Sequence, residues 1–280
     1  MSYRSRLNKG FEEAIRLPLN GRTKYVLFSD CHRGIGNSND NFLKNQMLYL
    51  AALQHYYRTG YTYIELGDGD ELWENRNITP ITETHYNIFQ QLSLFHNQNR
   101  LYLLYGNHDI VKKDKRYNQP ILSDICFHEG IILENTTFPD AQSIYLTHGH
   151  QADFLNSSLW RLSRFLVRHL WNPLERYGVL DPTSAAKNYK RKAKNEQRLH
   201  KFAEEKKYIL IAGHTHRPVL LENDLYYCNS GSCIHPSSIT CLELEQLRLC
   251  LVKWSLSVRP DRSLYVSREI LSGPVLIQNL

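Results

Sequence analysis

The chain of 280 residues carries 34 Lys+Arg against 28 Asp+Glu, a formal +6 with its 13 histidines neutral, and is 42% hydrophobic, 11% aromatic and 22% charged. That length buries a sizeable core, and the mixed composition excludes disordered, collagenous and coiled-coil classes. No apolar run reaches the roughly 20 residues of a bilayer span, and the opening MSYRSRLNKGFEEAIRL has charges where a secretory signal is apolar, so a cytoplasmic protein is expected. Cys31, Cys126, Cys228, Cys233, Cys241 and Cys250 are irregularly spaced and read as reduced thiols. A zinc site from the last four lacks paired CxxC spacing and is disfavoured.

In chain order, the β-branched and apolar run 24–29 predicts a buried strand ending at Asp30. Phe42, Leu43, Met47, Leu50 and Leu53 give 41–58 helical spacing, broken at Gly60. A second strand, 61–66, leads into Gly67-Asp68, a second helix is expected over 84–96, and a third strand, 100–105, leads into Gly106-Asn107-His108-Asp109. Strands alternating with helices predict βαβ units and a largely parallel sheet. Further strands over 143–147 and 208–212 end at His148-Gly149-His150 and Gly213-His214-Thr215-His216. Short alternating runs at 219–221, 225–228, 239–244, 248–254 and 263–270 then predict a β meander, the tail from Asn229 to Leu280 completing a second sheet.

Five strands thus end in the same way, and in open α/β sheets ligands gather at the carboxyl ends of strands. The tips supply Asp30, His32, Asp68, Asn107, His108, Asp109, His148, His214 and His216. Carboxylates, imidazoles and one amide oxygen suit Mn, Zn or Fe, and seven plausible ligands exceed what one ion uses. Two ions sharing a carboxylate accommodate them, a device that clamps phosphate during in-line displacement.

The motifs Asp30-Cys31-His32, Gly67-Asp68-Gly69-Asp70-Glu71, Gly106-Asn107-His108-Asp109, His148 and Gly213-His214-Thr215-His216 resemble, in order, those of the calcineurin-like metallophosphoesterases. The resemblance implies a four-layer α/β/β/α sandwich and two divalent ions, Mn first and Fe or Zn as alternatives. It implies that Asp30, His32 and His216 hold one ion, that Asn107, His148 and His214 hold the other, and that Asp68 bridges them. It also implies attack on phosphorus by a hydroxide between the ions, with His108 stabilising the transition state and protonating the leaving oxygen; from its position next to His108, Asp109 is expected to orient that ring. Within the family, Gly213 to Pro218, the tryptophan of Glu71-Leu72-Trp73 and the insertion before His214 look most like the bacterial UDP-2,3-diacylglucosamine hydrolase branch, which cleaves a pyrophosphate in a lipid-linked nucleotide sugar. Ser/Thr phosphatases carry Asp-Arg-Gly after the second motif where this chain has Leu72-Trp73-Glu74. The chain departs from the hydrolase branch at His150, at Asp70 and in its long tail.

Residues 151–207 are expected to form a helical cap between core segments 1–150 and 208–280. Leu155, Leu159, Leu162, Leu166 and Leu170 recur at helical spacing, Arg161, Arg164 and Arg168 form a second stripe with Trp160 and Trp171 nearby, and a further basic helix is expected over 181–207. Residues 151–210 hold 13 basic and 6 acidic side chains, a surplus of +7, which leaves 21 and 22, or −1, elsewhere. Such a cap suits an anionic phosphoester, and its apolar face suits a lipid tail or peripheral contact with the inner membrane face, or simply packs. Arg33, His150, Arg161, Arg164 and Arg168 are the candidate substrate contacts. The expected activity is dimetal hydrolysis of a phosphodiester, phosphomonoester or pyrophosphate. A nuclease and a catalytically silent metal-binding scaffold are the alternatives. Nucleic acid is disfavoured for want of a recognition motif, and oligomeric state is left open.

Overall fold

A computed structural model describes residues 1–117, 120–136, 142–171 and 188–277. In chain order its first half holds α1 (Tyr3–Glu12), β1 (Ile15–Leu19), β2 (Lys24–Phe28), α2 (Gln46–Arg58), β3 (Thr62–Glu65), α3 (Ile78–Thr84), α4 (Tyr86–Asn97) and β4 (Leu101–Leu104). Then come β5 (Phe127–His128), β6 (Ile131–Asn135), β7 (Ile144–Leu146), α5 (Phe154–Ser157), α6 (Trp160–Leu166) and α7 (Tyr189–Lys206). The chain closes with β8 (Ile209–Ala212), β9 (Val219–Leu221), β10 (Asp224–Asn229), β11 (Ser238–Glu245), β12 (Arg248–Val258) and β13 (Leu264–Leu276).

The strands form two sheets. One has the order β13-β12-β11-β2-β3-β4-β5, parallel from β2 to β5 and antiparallel beyond β2. The other has the order β1-β6-β7-β8-β10-β9, mixed in direction. Side-chain alternation sorts each strand between two cores. On β2, Tyr25 and Leu27 enter the layer between the sheets, where Ile64, Leu133, Ile144, Ile211 and Leu242 also lie. Val26 and Phe28 face the opposite way, against Tyr49, Leu53, Phe89 and Phe95 of α2 and α4. On β8, Ile209 and Ile211 point between the sheets while Leu210 and Ala212 meet Leu199, Phe202 and Ala203 of α7 and Leu7 of α1. Helices on both outer faces of two packed sheets make the expected four-layer α/β/β/α sandwich.

Several local expectations are redrawn. The meander divides: β9 and β10 form a hairpin on the second sheet, whereas β11 to β13 extend the first. The tail therefore does not complete the second sheet, because β11 pairs with β2, from Leu242 opposite Leu27 to Glu245 opposite Lys24. The first strands and helices lie where their spacing puts them, but α2 begins only after a 3₁₀ turn at Leu43–Asn45, and α3 precedes α4 with His85 as the break. Of the helix expected over 181–207, residues 181–187 lie outside the described residues, and α7 starts where Asn188 accepts a hydrogen bond from the Arg191 N–H. Because α7 packs on β8 and β10 through Leu199, Phe202 and Ala203, it serves as an outer layer of the sandwich.

Candidate metal centre

The carboxyl ends of β2, β3 and β4 from one sheet and of β7 and β8 from the other meet at one place, and each motif begins where its strand ends. The turns there are forced. Asp30, His32, Asp68, His214 and His216 all adopt left-handed backbone, with φ of 53°, 47°, 52°, 68° and 56°. Such conformations cost about 1–3 kcal/mol each for non-glycine residues and persist only where surrounding bonds over-determine them. Those bonds are present: Asp30 N–H donates to Gly67 O at 3.1 Å, His32 N–H to Asp68 O at 2.9 Å and Gly213 N–H to His148 O at 3.0 Å. Glycine is required where the loops touch, since a Cβ on Gly106 would lie 2.0 Å from Asp68 Oδ1, and one on Gly67 2.7 Å from Gly106 N.

All seven expected ligands converge. Asp30, His32 and His216 can present one ligand atom each within 4.8 Å of one another, and so can Asp68, His148 and His214. In the first group His216 Nε2 stands 3.1 Å from Asp30 Oδ1 and 3.3 Å from His32 Nε2. In the second, His148 Nε2 stands 3.2 Å from Asn107 Oδ1 and 3.2 Å from Asp68 Oδ2. Asp68 Oδ2 also lies 3.8 Å from His32 Nε2, which puts this carboxylate between the groups.

The donor set is poised for a cation. His148 Nδ1 lies 2.8 Å from Leu66 O, and a carbonyl only accepts, so Nδ1 carries a proton. The other ring nitrogen then faces two oxygens, an arrangement that requires either a second proton or a metal ion. Burial disfavours that proton, but Asp68 and Asp30 prevail and push the His148 pKa up to about 9 in the metal-free protein. Burial likewise opposes ionisation of Asp68, yet His148, His108 and His32 hold its carboxyl well below the usual range. Asp30 Oδ1 and His214 Nε2 are buried with no hydrogen bond. Buried polar atoms left in this state mark a site that fits divalent cations.

Around the ligands, His32 Nδ1 meets Glu71 at 2.9 Å, fixing that ring so that Nε2 faces the centre. The same carboxylate meets His108 Nδ1 at 2.8 Å, and Trp73 stacks on the His108 ring with centroids 4.3 Å apart and planes 21° from parallel. Burial lowers the His108 pKa, but Glu71 and Asp68 raise it above its ordinary value. Glu71, rather than Asp109, is therefore the carboxylate on the His108 ring. Asp109 turns away and accepts from Gly106 N–H at 2.7 Å, Gly69 N–H at 3.1 Å and Lys112 Nζ at 3.3 Å.

The expected substrate contacts scatter. Arg33 does not reach the centre: its guanidinium is buried on Glu65 at 2.8 and 3.0 Å and on Asp70 at 2.7 Å. His150 is buried beside His148, with ring centroids 5.4 Å apart. Arg161 is exposed over the Trp160 ring, Arg164 is half-buried with an unbonded Nε, and Arg168 binds main-chain carbonyls. Of the leucine stripe, Leu155, Leu159 and Leu162 are exposed, as are Phe154 and Phe165, while the side chains of Leu170 and Trp171 lie outside the described residues.

Sequence reasoning gave no role to Glu71 or to Asp153. Glu71 had a signal, as the acid three residues after Asp68. Asp153 had none beyond lying five residues past His148; it is buried, 3.5 Å from His214 Nε2, and bonded by Arg191, Asn195 and Asn156.

Fold and site together define a class: a four-layer α/β/β/α protein whose two sheets bring together, at their strand ends, adjacent groups of residues that could hold metal ions. Residues 23–218 match the model of the calcineurin-like phosphoesterase family, and the chain belongs to it. No curated protein matches significantly. Among solved structures the chain is similar to Vps29 of Chaetomium thermophilum, at 11% identity and a TM-score of 0.42, covering 89% of this chain and 96% of that one. No helix among the described residues is long and apolar enough to cross a membrane.

Proposed function

We propose that the protein hydrolyses a phosphoester or pyrophosphate bond in a small anionic substrate, with Asp30, His32 and His216 holding one divalent ion, Asn107, His148 and His214 a second, and Asp68 between them. The observation that carries this reading is His148, whose Nδ1 is taken by Leu66 O and whose Nε2 faces Asp68 and Asn107 oxygens at 3.2 Å. Divalent ions held there, manganese first and iron or zinc otherwise, would supply Lewis acidity and lower the pKa of water toward neutrality. His108 donates a proton to the departing oxygen: Glu71 holds its Nδ1, Trp73 covers one face, and the ring is 21% exposed, so Nε2 is the atom left to act. Glu71 also keeps His32 in the tautomer that turns Nε2 inward.

Within that activity, a lipid-linked or nucleotide pyrophosphate is the substrate class we favour, with the protein peripheral to the cytoplasmic membrane face. Support comes from Phe154, Leu155, Leu159, Leu162 and Phe165, exposed beside Arg161 on a segment, 154–171, that contains no acidic residue.

Metal-depleted protein resupplied with Mn²⁺ should turn over bis-p-nitrophenyl phosphate. No turnover in the wild type, or undiminished turnover in Asp68→Ala, would overturn the hydrolytic reading. A screen of UDP-sugars, nucleotides and lipid phosphates tests the substrate class, and release of product only from lipid-free phosphomonoesters would reject it.

A further inference from the structure

The turn that carries Glu71 and Trp73 is fastened from both sides. Inside, the Glu71 carboxylate accepts from Trp73 N–H at 3.1 Å and Glu74 N–H at 3.3 Å, and Asn75 Nδ2 donates to Glu71 O at 2.8 Å. Outside, the carbonyls of the turn point toward the segment after α6. There Arg168 Nε donates to Trp73 O at 2.9 Å, and Arg168 Nη2 donates to Leu72 O at 3.2 Å and Asn75 O at 3.3 Å. One guanidinium thus closes three carbonyls of the turn, which a point-charge ammonium cannot reproduce.

Two further observations bear on what that contact does. Arg168 lies in a π-helical turn, Val167–Trp171, that continues α6; such turns are rare and frequent at functional sites. The Trp73 indole is 2% exposed, and its Nε1 has no hydrogen bond. Its position therefore depends on packing and on its main chain, and the face it presents lies on the His108 ring.

We infer that Arg168 is a positioning residue: by gripping the Leu72–Asn75 turn it sets the Trp73 indole against His108 and holds that imidazole in line to protonate the leaving group. The helical segment 160–171 is thereby coupled to the proton donor across the motif that also supplies Asp68. This inference rests on the role proposed for His108, and the experiment separates the two.

Arg168→Lys and Arg168→Gln are compared with the wild type and His108→Ala, all Mn²⁺-loaded, on bis-p-nitrophenyl phosphate and diphenyl phosphate. The second ester has the poorer leaving group and needs the proton more. Both Arg168 variants should lose about tenfold in kcat on diphenyl phosphate and less than about twofold on the nitrophenyl ester, a part of the loss in His108→Ala, with KM unchanged for both. In Zn²⁺-loaded, isotope-labelled protein, stacking on the indole should shift the His108 ring protons upfield, and Arg168→Gln should move them back, as Trp73→Leu does. Equal slowing of both esters, or His108 shifts unchanged in Arg168→Gln, would overturn the positioning role. A wild type that hydrolyses neither ester would instead sink the phosphoesterase reading and leave the NMR comparison intact.

Discussion

Two buried polar clusters are built from the same three peptides, and they differ in kind. The turns Asp30-Cys31-His32-Arg33, Asp68-Gly69-Asp70 and Asn107-His108-Asp109 divide their side chains between two clusters. Asp30, His32, Asp68 and Asn107 enter the candidate metal centre. Arg33, Asp70 and Asp109 enter a second cluster, with Glu65 and Lys112. There Arg33 meets Glu65 and Asp70, and Lys112 meets Asp70 at 2.7 Å and Asp109 at 3.3 Å. Asp109 also caps two glycine N–H groups. In the metal centre, by contrast, Asp30 Oδ1 and His214 Nε2 have no hydrogen bond and imidazole nitrogen faces imidazole nitrogen. Low dielectric makes both arrangements consequential: a complete network fixes geometry, and an incomplete one calls for a ligand. The cluster paired by lysine and arginine is satisfied and holds the loops; the candidate metal centre pairs its carboxylates with imidazoles and keeps buried polar atoms without a hydrogen bond, as a cation site would.

The comparison is broken most directly at Asp68. Asp68→Ala should reduce Mn²⁺-dependent turnover of bis-p-nitrophenyl phosphate by on the order of 10³-fold, about 4 kcal/mol of barrier, while urea unfolding of the metal-free variant shows a smaller change. Next is Arg33→Met, which leaves Glu65 and Asp70 short of a buried partner. Chemical denaturation should report a loss of about 3–5 kcal/mol, with correctly folded survivors retaining Mn²⁺ affinity. If Arg33→Met instead left stability unchanged and abolished metal binding, the division of labour would fail. Third, Mn²⁺ at about 100 times its Kd should stabilise the wild type by about 2.7 kcal/mol per site, and the gain should shrink in Asp68→Ala. Thermal melts with and without the ion measure it.

How far the sequence discloses this division depends on what each residue's neighbours reveal. Asp30, His32, Asp68, Asn107, His148, His214 and His216 are legible because each follows an apolar run, and strand ends converge by topology. The direction in which Arg33 and Asp109 turn is not legible: the peptide gives their adjacency to ligands, and the turns beyond β2, β3 and β4 send them away from the centre, through bonds such as Arg33 N–H to Gly69 O at 3.0 Å and Gly106 N–H to Asp109 Oδ1 at 2.7 Å. The exchange of Asp109 for Glu71 on His108 has the same cause. Buried β2, β3 and β8 read clearly, whereas β1, with Arg16 and Pro18 inside it, and β5, of two residues, have no period to read. Placement of β11 to β13 on the first sheet is decided by pairing with β2, a contact between residues far apart in sequence.

The smallest expected effect lies in the acid limb of stability, and it asks whether the paired cluster acts as one unit. Burial opposes ionisation of Asp70, but Arg33 and Lys112 outweigh it and hold the carboxyl below the ordinary carboxylate range. A depressed folded-state value means that the unfolded chain takes up a proton first as pH falls. Asp70's share of stability is therefore complete above an unfolded value of about 3.9 and is lost progressively below it. Asp70→Asn should be less stable than the wild type at pH 7 and should lose less on acidification, so the two unfolding free energies draw together between about pH 4 and pH 2. Asp109, whose carboxyl burial raises despite Lys112, changes in the opposite sense and tempers the slope. Urea titrations at stepped pH measure the gap. A gap that stays constant as the wild type unfolds would mean that Asp70 acts through its hydrogen bonds alone, and that charge pairing is not what distinguishes this cluster from the metal centre.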